Sequence, residues 1–84
     1  MKYTYPAVFE EDDKPGIAIW FPDLPRGASQ GDNYDDAVEM AQDLLSEMLD
    51  DYEQMQVEFP TPGAVKEPLE PGQYIVNITV ERAQ

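Results

Sequence analysis

The sequence predicts an α+β fold, in which a small antiparallel sheet of three to four strands carries one long helix on one face. Short stretches of alternating apolar and polar residues occur on both sides of a single segment with helical periodicity. Gly and Pro residues separate these stretches. A chain of 84 residues has room for one core, so residues 1–84 are interpreted as a single domain with the order β-β-β-α-β.

The first two predicted strands form a hairpin. Residues 2–9 alternate as a half-buried strand does, and Pro6 has no N–H to donate. This strand, or at least the side that Pro6 faces, is therefore expected at a sheet edge. The polar residues 10–16 end in Pro-Gly and predict a turn, after which residues 17–21 alternate again.

A short third strand is predicted before the helix. The Pro-Asp-Leu-Pro sequence at residues 22–25 is expected to end the second strand as a rigid turn. Residues 28–30 then have space for a short strand, and Gly31 with Asp32 predicts the turn that leads into the helix.

The helix over residues 33–55 is the strongest signal. Its apolar residues fall on one side of a helical projection and its acidic residues on the other, with Met40, Met48 and Met55 expected in the core. Asn33 is a suitable N-cap. At the other end the acidic residues oppose the negative pole of the helix dipole, and no basic residue lies nearby to offset them.

The last predicted element is a strand over residues 74–80, rich in β-branched residues. Residues 59–73 contain four of the eight prolines and predict an extended crossover on the surface. Because the last strand is long and apolar for an uncovered edge, we expect the chain to form a homodimer or a higher oligomer.

Composition restricts the function. Eighteen acidic residues against five basic ones give a net charge of −13, which favours a basic protein partner and disfavours direct binding of nucleic acid. The absence of His and Cys removes an imidazole base, a thiolate nucleophile and the usual zinc ligands. We therefore expect no enzyme activity and no cofactor.

Clusters of acidic residues leave a metal-dependent nuclease as a less favoured alternative. Residues 11–13 and the group Asp32, Asp35 and Asp36 supply oxygen ligands, but neither has the spacing of a calcium loop. The chain has no signal-peptide pattern, and its longest apolar run is far shorter than the ~20 residues needed to span a bilayer. A cytoplasmic protein that does not bind membranes is expected.

The acidic side of the helix is the main candidate for binding a partner. Its like charges lie four residues apart and repel one another mildly, a cost that a basic partner would offset. A solvated helix face explains the same pattern, so both interpretations stay open. Trp20 and Asp23 are further candidates, as an aromatic anchor and a turn residue. The predicted binding residues are Trp20, Asp23, Asp35, Asp36, Glu39, Asp43, Glu47 and Asp50.

Four motifs, in this order and spacing, resemble the HicB-like antitoxin family over about residues 3–80. They are Tyr5-Pro6-Ala7-Val8-Phe9-Glu10, Phe21-Pro22-Asp23-Leu24-Pro25, Gln30-Gly31-Asp32 and Asp35-Asp36-Ala37-Val38-Glu39-Met40-Ala41. The resemblance implies a partial ribonuclease H fold without its catalysis. It also implies that the chain binds and inhibits a small basic mRNA-cleaving toxin of the HicA type.

The chain departs from the family pattern in two places. Arg26-Gly27-Ala28 stands where relatives usually carry a small-residue Gly-Cys or similar sequence. Family members usually continue into a DNA-binding segment, whereas nothing follows Gln84, so no C-terminal DNA-binding module is expected. An orphan module that binds a ligand or peptide through its sheet remains the alternative function.

Overall fold

The computed structural model describes residues 1–12, 15–63 and 69–82, apart from the side chains of Pro25 and Arg26. The elements are β1 (Lys2–Glu10), β2 (Ile17–Phe21), β3 (Leu24–Gly31), α1 (Tyr34–Met55) and β4 (Gln73–Glu81). The strands form one antiparallel sheet in the order β3-β2-β1-β4, and α1 packs against one face of it. The predicted α+β class and element order are confirmed.

The position of β1 corrects the expectation drawn from Pro6. β1 pairs with β4 over residues 2–10 and with β2 over residues 8–10, so it is an interior strand. Met1 and Arg82 exchange two backbone hydrogen bonds, which by the alternation of an antiparallel ladder turns Pro6 away from β4. The paired part of β2 does not extend as far as Pro6, so its missing N–H costs no ladder bond.

The third strand is longer than predicted. Phe21 lies opposite Leu24, so Pro22 and Asp23 form a two-residue turn and the chain re-enters the sheet at once. Pro25 does not interrupt β3 because β3 is an edge strand, in which alternate N–H groups need no partner.

The core lies between α1 and the face of the sheet formed by alternate residues of β1, β2 and β4 together with Leu24 of β3. Its larger buried side chains are Tyr5, Phe9, Ile19, Phe21, Leu24, Leu45, Met48, Leu49 and Ile78. The prediction that three methionines fill the core is confirmed for Met48 and wrong for Met40 and Met55, which are 36% and 43% exposed. Met40 lies at the border of the apolar face, and Met55 is the last residue of α1.

The crossover after α1 first runs along the end of the sheet where β2 turns into β3. The Tyr5 hydroxyl donates to the Pro60 carbonyl (2.6 Å), and the Gly63 N–H donates to the Asp23 carboxylate (3.1 Å). Burial raises the pKa of the Tyr5 hydroxyl, and the negative charge of Asp23 adds to the increase. Within the predicted extended connection, residues 64–68 lie outside the described residues.

Candidate functional site

The outward side of α1 carries a row of carboxylates four residues apart, here called the acidic stripe: Asp35, Glu39, Asp43 and Glu47. All four side chains are exposed. Successive carboxylates are separated by about 6 Å along the helix axis, because each residue adds ~1.5 Å. Among the side chains that the structure describes, which do not include that of Arg26, no ion pair involves any member of the stripe. Its negative charge is therefore open to solvent or to a partner.

At the N-terminal end of α1, Asp36 has a structural role. The Asn33 side chain accepts a hydrogen bond from the Asp36 N–H (2.9 Å), and the Asp36 carboxylate accepts one from the Asp32 N–H (2.8 Å). Two backbone donors of the helix start are thus satisfied, and the carboxylate lies at the positive pole of the helix dipole. The predicted N-cap is confirmed, and Asp36 is partly committed to it.

At the C-terminal end, Arg82 offsets the acidic residues that the sequence left unbalanced. Its guanidinium contacts the carboxylates of Asp50 (2.5 Å) and Glu53 (3.0 Å) and donates to the Ser46 carbonyl (3.3 Å). These four residues are called the Arg82 cluster. The hydrogen bond from Arg82 to Asp50 is the main reason that the pKa of Arg82 is raised. Asp50, predicted to bind a partner, is bound instead within the chain.

Trp20 lies on the sheet face opposite α1. It is half-buried, and its neighbours across the strands are Val8 and Ala28. Val8 is 3% exposed although it lies outside the core cluster beneath α1. Trp20 and the acidic stripe therefore lie on opposite sides of the domain, and one flat partner surface does not contact both.

Asp23 lies in the turn between β2 and β3. Its side chain is half-buried and is bound to the N–H of Gly63 in the crossover. This carboxylate fixes the crossover to the sheet, a role that sequence reasoning missed because the two residues are 40 positions apart. The predicted binding residues thus separate into the acidic stripe and four residues elsewhere: Trp20, Asp23, Asp36 and Asp50.

The described residues offer little for small-molecule chemistry. Within residues 1–12, 15–63 and 69–82 there is no group of three or more acidic side chains placed to hold a metal ion. Asp13, part of one predicted acidic cluster, lies outside the described residues. An open pocket beside the β1–β2 turn has a volume of about 140 Å³, below the roughly 300 Å³ at which ligand pockets begin.

The described part of the chain contains no helix that could cross a bilayer. Its helix is neither long enough in apolar sequence nor sufficiently free of charge to cross a bilayer.

Comparison with solved structures agrees with this fold. A chain from a toxin–antitoxin complex of Streptococcus pneumoniae superposes with a TM-score of 0.80, over 96% of this chain and 70% of that one. The two sequences are 22% identical, so the likeness concerns the fold.

Two curated relatives come from Photorhabdus laumondii. Antitoxin HicB 2 is 42% identical over 59 residues, which are 70% of this chain and 42% of the relative. Antitoxin HicB 1 is 36% identical over 61 residues, which are 73% of this chain and 39% of the relative. This chain therefore matches less than half the length of either protein.

The match to a family profile covers nearly the whole chain. Residues 4–83 match the family described as HicB-like antitoxin of bacterial toxin–antitoxin systems. The four motifs that suggested this resemblance all lie within the matched range. The chain belongs to the HicB-like antitoxins of bacterial toxin–antitoxin systems.

Proposed function

We propose that this antitoxin binds a small basic toxin of the HicA type through the acidic stripe and thereby silences its cleavage of mRNA. The observation that carries the proposal is the stripe itself, whose carboxylates are exposed and have no ion-pair partner in the described residues. The names of the relatives support an antitoxin role, and the structural neighbour comes from a toxin–antitoxin complex.

The stripe is energetically unfavourable for the free chain. Like charges four residues apart destabilise a helix by about 0.2–0.5 kcal/mol per pair, so three successive pairs cost about 1 kcal/mol. A basic partner removes this repulsion and gains attraction in its place. A protein that cleaves RNA needs a cationic surface for phosphate, so the stripe and the RNA would compete for the same surface.

The proposal uses four of the eight predicted binding residues, and their shared position on one side of α1 supports it. Asp35, Glu39, Asp43 and Glu47 form one row, whereas Trp20 lies on the other side of the sheet. An apolar anchor is available beside the row, because Met40 is 36% exposed on the same helix. We assign the lifetime of the complex to this contact, and its rate of formation to the carboxylates.

The proposed role is binding without catalysis, and it places the antitoxin in the cytoplasm, where the toxin would meet mRNA. A purified, catalytically inactive HicA-type toxin is the probe. Replacing Glu39→Gln, Asp43→Asn and Glu47→Gln together should slow association tenfold or more at low salt and leave dissociation nearly unchanged. Surface plasmon resonance at several salt concentrations measures both rates.

A matched control separates the stripe from net charge. Glu58→Gln, Glu70→Gln and Glu81→Gln together change the charge equally, and these three exposed side chains lie off α1. The proposal requires a clearly smaller effect from this control. Equal slowing by both triple variants would mean that net charge acts without a defined surface. If neither triple variant changes the association rate, the binding surface lies on the sheet, as the orphan-module alternative expects.

A further inference from the structure

β4 forms one edge of the sheet, and the backbone groups that face outward from this edge can be identified. Met1 and Arg82 form a hydrogen-bonded pair, and at the other end the Glu11 N–H donates to the Gly72 carbonyl (2.9 Å). Hydrogen-bonded and non-hydrogen-bonded pairs alternate along an antiparallel ladder. The residues of β4 that direct their N–H and C=O groups away from β1 are therefore Gln73, Ile75, Asn77, Thr79 and Glu81.

This edge has few of the features that normally prevent strands from pairing. β4 contains no Pro, Gly or Lys, and its single carboxylate, Glu81, is its last residue. The opposite edge strand, β3, contains Pro25 and Gly27, and its pairing with β2 is irregular near Phe21. Two contacts among the described residues use part of the β4 edge: the Gln73 N–H donates to the Glu70 carbonyl (3.0 Å), and Gln42 of α1 donates a long hydrogen bond (3.4 Å) to the Thr79 carbonyl. A carbonyl oxygen can accept a second hydrogen bond.

We propose that β4 pairs with β4 of a second copy of this chain, antiparallel, with Asn77 facing its own counterpart on the twofold axis. Asn77 is the middle of the nine-residue strand, so this register pairs the full length and makes about eight backbone hydrogen bonds, because the Gln73 N–H of each copy is already bonded to Glu70. The inference is independent of which toxin the antitoxin binds.

The side chains in this register are complementary. On the α1 side of the sheet, Val76 meets Ile78 of the other copy and Tyr74 meets Val80, all apolar pairs of the kind that stabilise sheets. Val76 and Val80 are half-buried in the single chain and would be covered further. On the other side Glu81 meets Gln73, so no like charges lie opposite each other.

Charge makes the dimer respond to salt in the opposite way to toxin binding. Each chain carries a net charge of −13, and a twofold axis perpendicular to the sheet places both acidic helices on the same face. Salt screens this repulsion, so the dimer should become stronger as ionic strength rises. Attraction between the acidic stripe and a basic toxin should become weaker under the same conditions.

Sedimentation equilibrium at micromolar concentration tests the proposal. We expect a species of twice the 9.5 kDa chain mass, in a proportion that increases between 50 mM and 500 mM sodium chloride. Asn77→Asp should raise the dimer dissociation constant tenfold or more, because it places two carboxylates together on the axis. Asn77→Ser, which adds no charge, should leave the dissociation constant within about threefold.

A second variant checks the backbone geometry. Asn77→Pro removes only an outward N–H, since Asn77 lies in a non-hydrogen-bonded pair opposite Pro6, and circular dichroism reports whether the monomer still folds. Hydrogen exchange should protect the amides of Ile75, Asn77 and Thr79 as the dimer forms. The proposal would be overturned if the chain is a monomer at every salt concentration, or if Asn77→Asp leaves the dimer dissociation constant unchanged. Protection of these amides only in a one-to-one complex with toxin would assign the edge to the toxin instead.

Discussion

The two ends of α1 have similar acidic side chains and are stabilised in different ways. At the N-terminal end, Asn33 and Asp36 lie three residues apart and satisfy backbone donors nearby. At the C-terminal end, Asp50 and Glu53 depend on Arg82, which follows the last strand. The acidic residues at one end act through their own sequence neighbours, whereas those at the other end obtain their counter-charge only when β4 has paired.

Between these two ends lies the acidic stripe, which neither arrangement neutralises. The helix dipole favours acidic residues in the first turn, and the Arg82 cluster offsets those near the last turn. Neither effect offsets the charges of Glu39, Asp43 and Glu47. The number of acidic residues on a helix therefore overstates the charge that a partner meets, and the available part lies in the middle.

The largest predicted effect concerns how closely the N-terminal end of α1 approaches β3. A Cβ atom added at Gly31 would lie 2.4 Å from the Cα of Ala37, a backbone atom that cannot move without shifting the helix. Gly31→Ala should therefore lower the free energy of unfolding by about 2–3 kcal/mol, measured by urea denaturation.

Gly27→Ala is the matched control for this prediction, because both glycines lie in β3. Its added Cβ would meet only the end of the Leu44 side chain, at 3.2 Å, and that side chain can adjust. We expect a loss below about 1 kcal/mol. Equal losses at both positions would show that the close contact between Gly31 and Ala37 is not what positions the helix.

The second effect concerns the C-terminal end. Arg82→Met keeps most of the apolar stem but leaves Asp50 and Glu53 unpaired beside the negative pole of the helix dipole. We expect a loss of about 1–2 kcal/mol, because each of the two ion pairs, whose carboxylates are about half exposed, contributes up to ~1 kcal/mol. Thermal denaturation at low and high salt measures it, and the loss should decrease as salt screens the charges.

Arg82→Lys retains the charge without the planar guanidinium that reaches Asp50, Glu53 and Ser46 together, so it should recover part of the loss. A double-mutant cycle with Asp50→Asn isolates the pair. Zero coupling in that cycle would contradict the role assigned to Arg82 and leave the acidic end of the helix without its counter-charge.

The contrast between the ends also explains what the sequence could predict. Asn33 and Asp36 are neighbours on one helical turn, so their spacing predicted the cap. Arg82 lies 32 positions from Asp50, and no local pattern distinguishes it from the other four basic residues. The acidic run without basic residues indicated only that a counter-charge was needed somewhere.

The same limit explains the sheet. Local alternation predicted β1, β2 and β4, but the place of β1 depends on β4, some 70 residues later, and on β2 being short. Pro6 correctly indicated that one side of β1 is unpaired at that position. The inference that the whole strand lies at an edge was wrong. The binding candidates followed the same rule, since the exposure of the acidic stripe was readable from periodicity. The contacts of Asp23 and Asp50 could not be predicted from periodicity.

The smallest effect lies at the N-terminal end and depends on pH. The Tyr74 hydroxyl donates to the Glu11 carboxylate (2.6 Å), and its ring packs against Phe9, which also contacts Tyr34 in the first turn of α1. Burial, followed by the hydrogen bond to Glu11, raises the pKa of Tyr74 from 10.0 to about 12.

Because the unfolded chain releases this proton near pH 10 and the folded chain near 12, the contribution to stability is complete below pH 10 and is lost as the pH rises to 12. Tyr74→Phe should cost about 1 kcal/mol or less at pH 8, the worth of one ordinary hydrogen bond. Above pH 10 the difference in free energy of unfolding between the wild type and the variant should decrease, because only the wild type loses this contribution. Tyr5, whose pKa is also raised, is present in both proteins and cancels in the comparison. Urea midpoints at pH 8, 10 and 11.5 measure the difference, and a constant offset across that range would mean that folding does not raise the pKa of Tyr74.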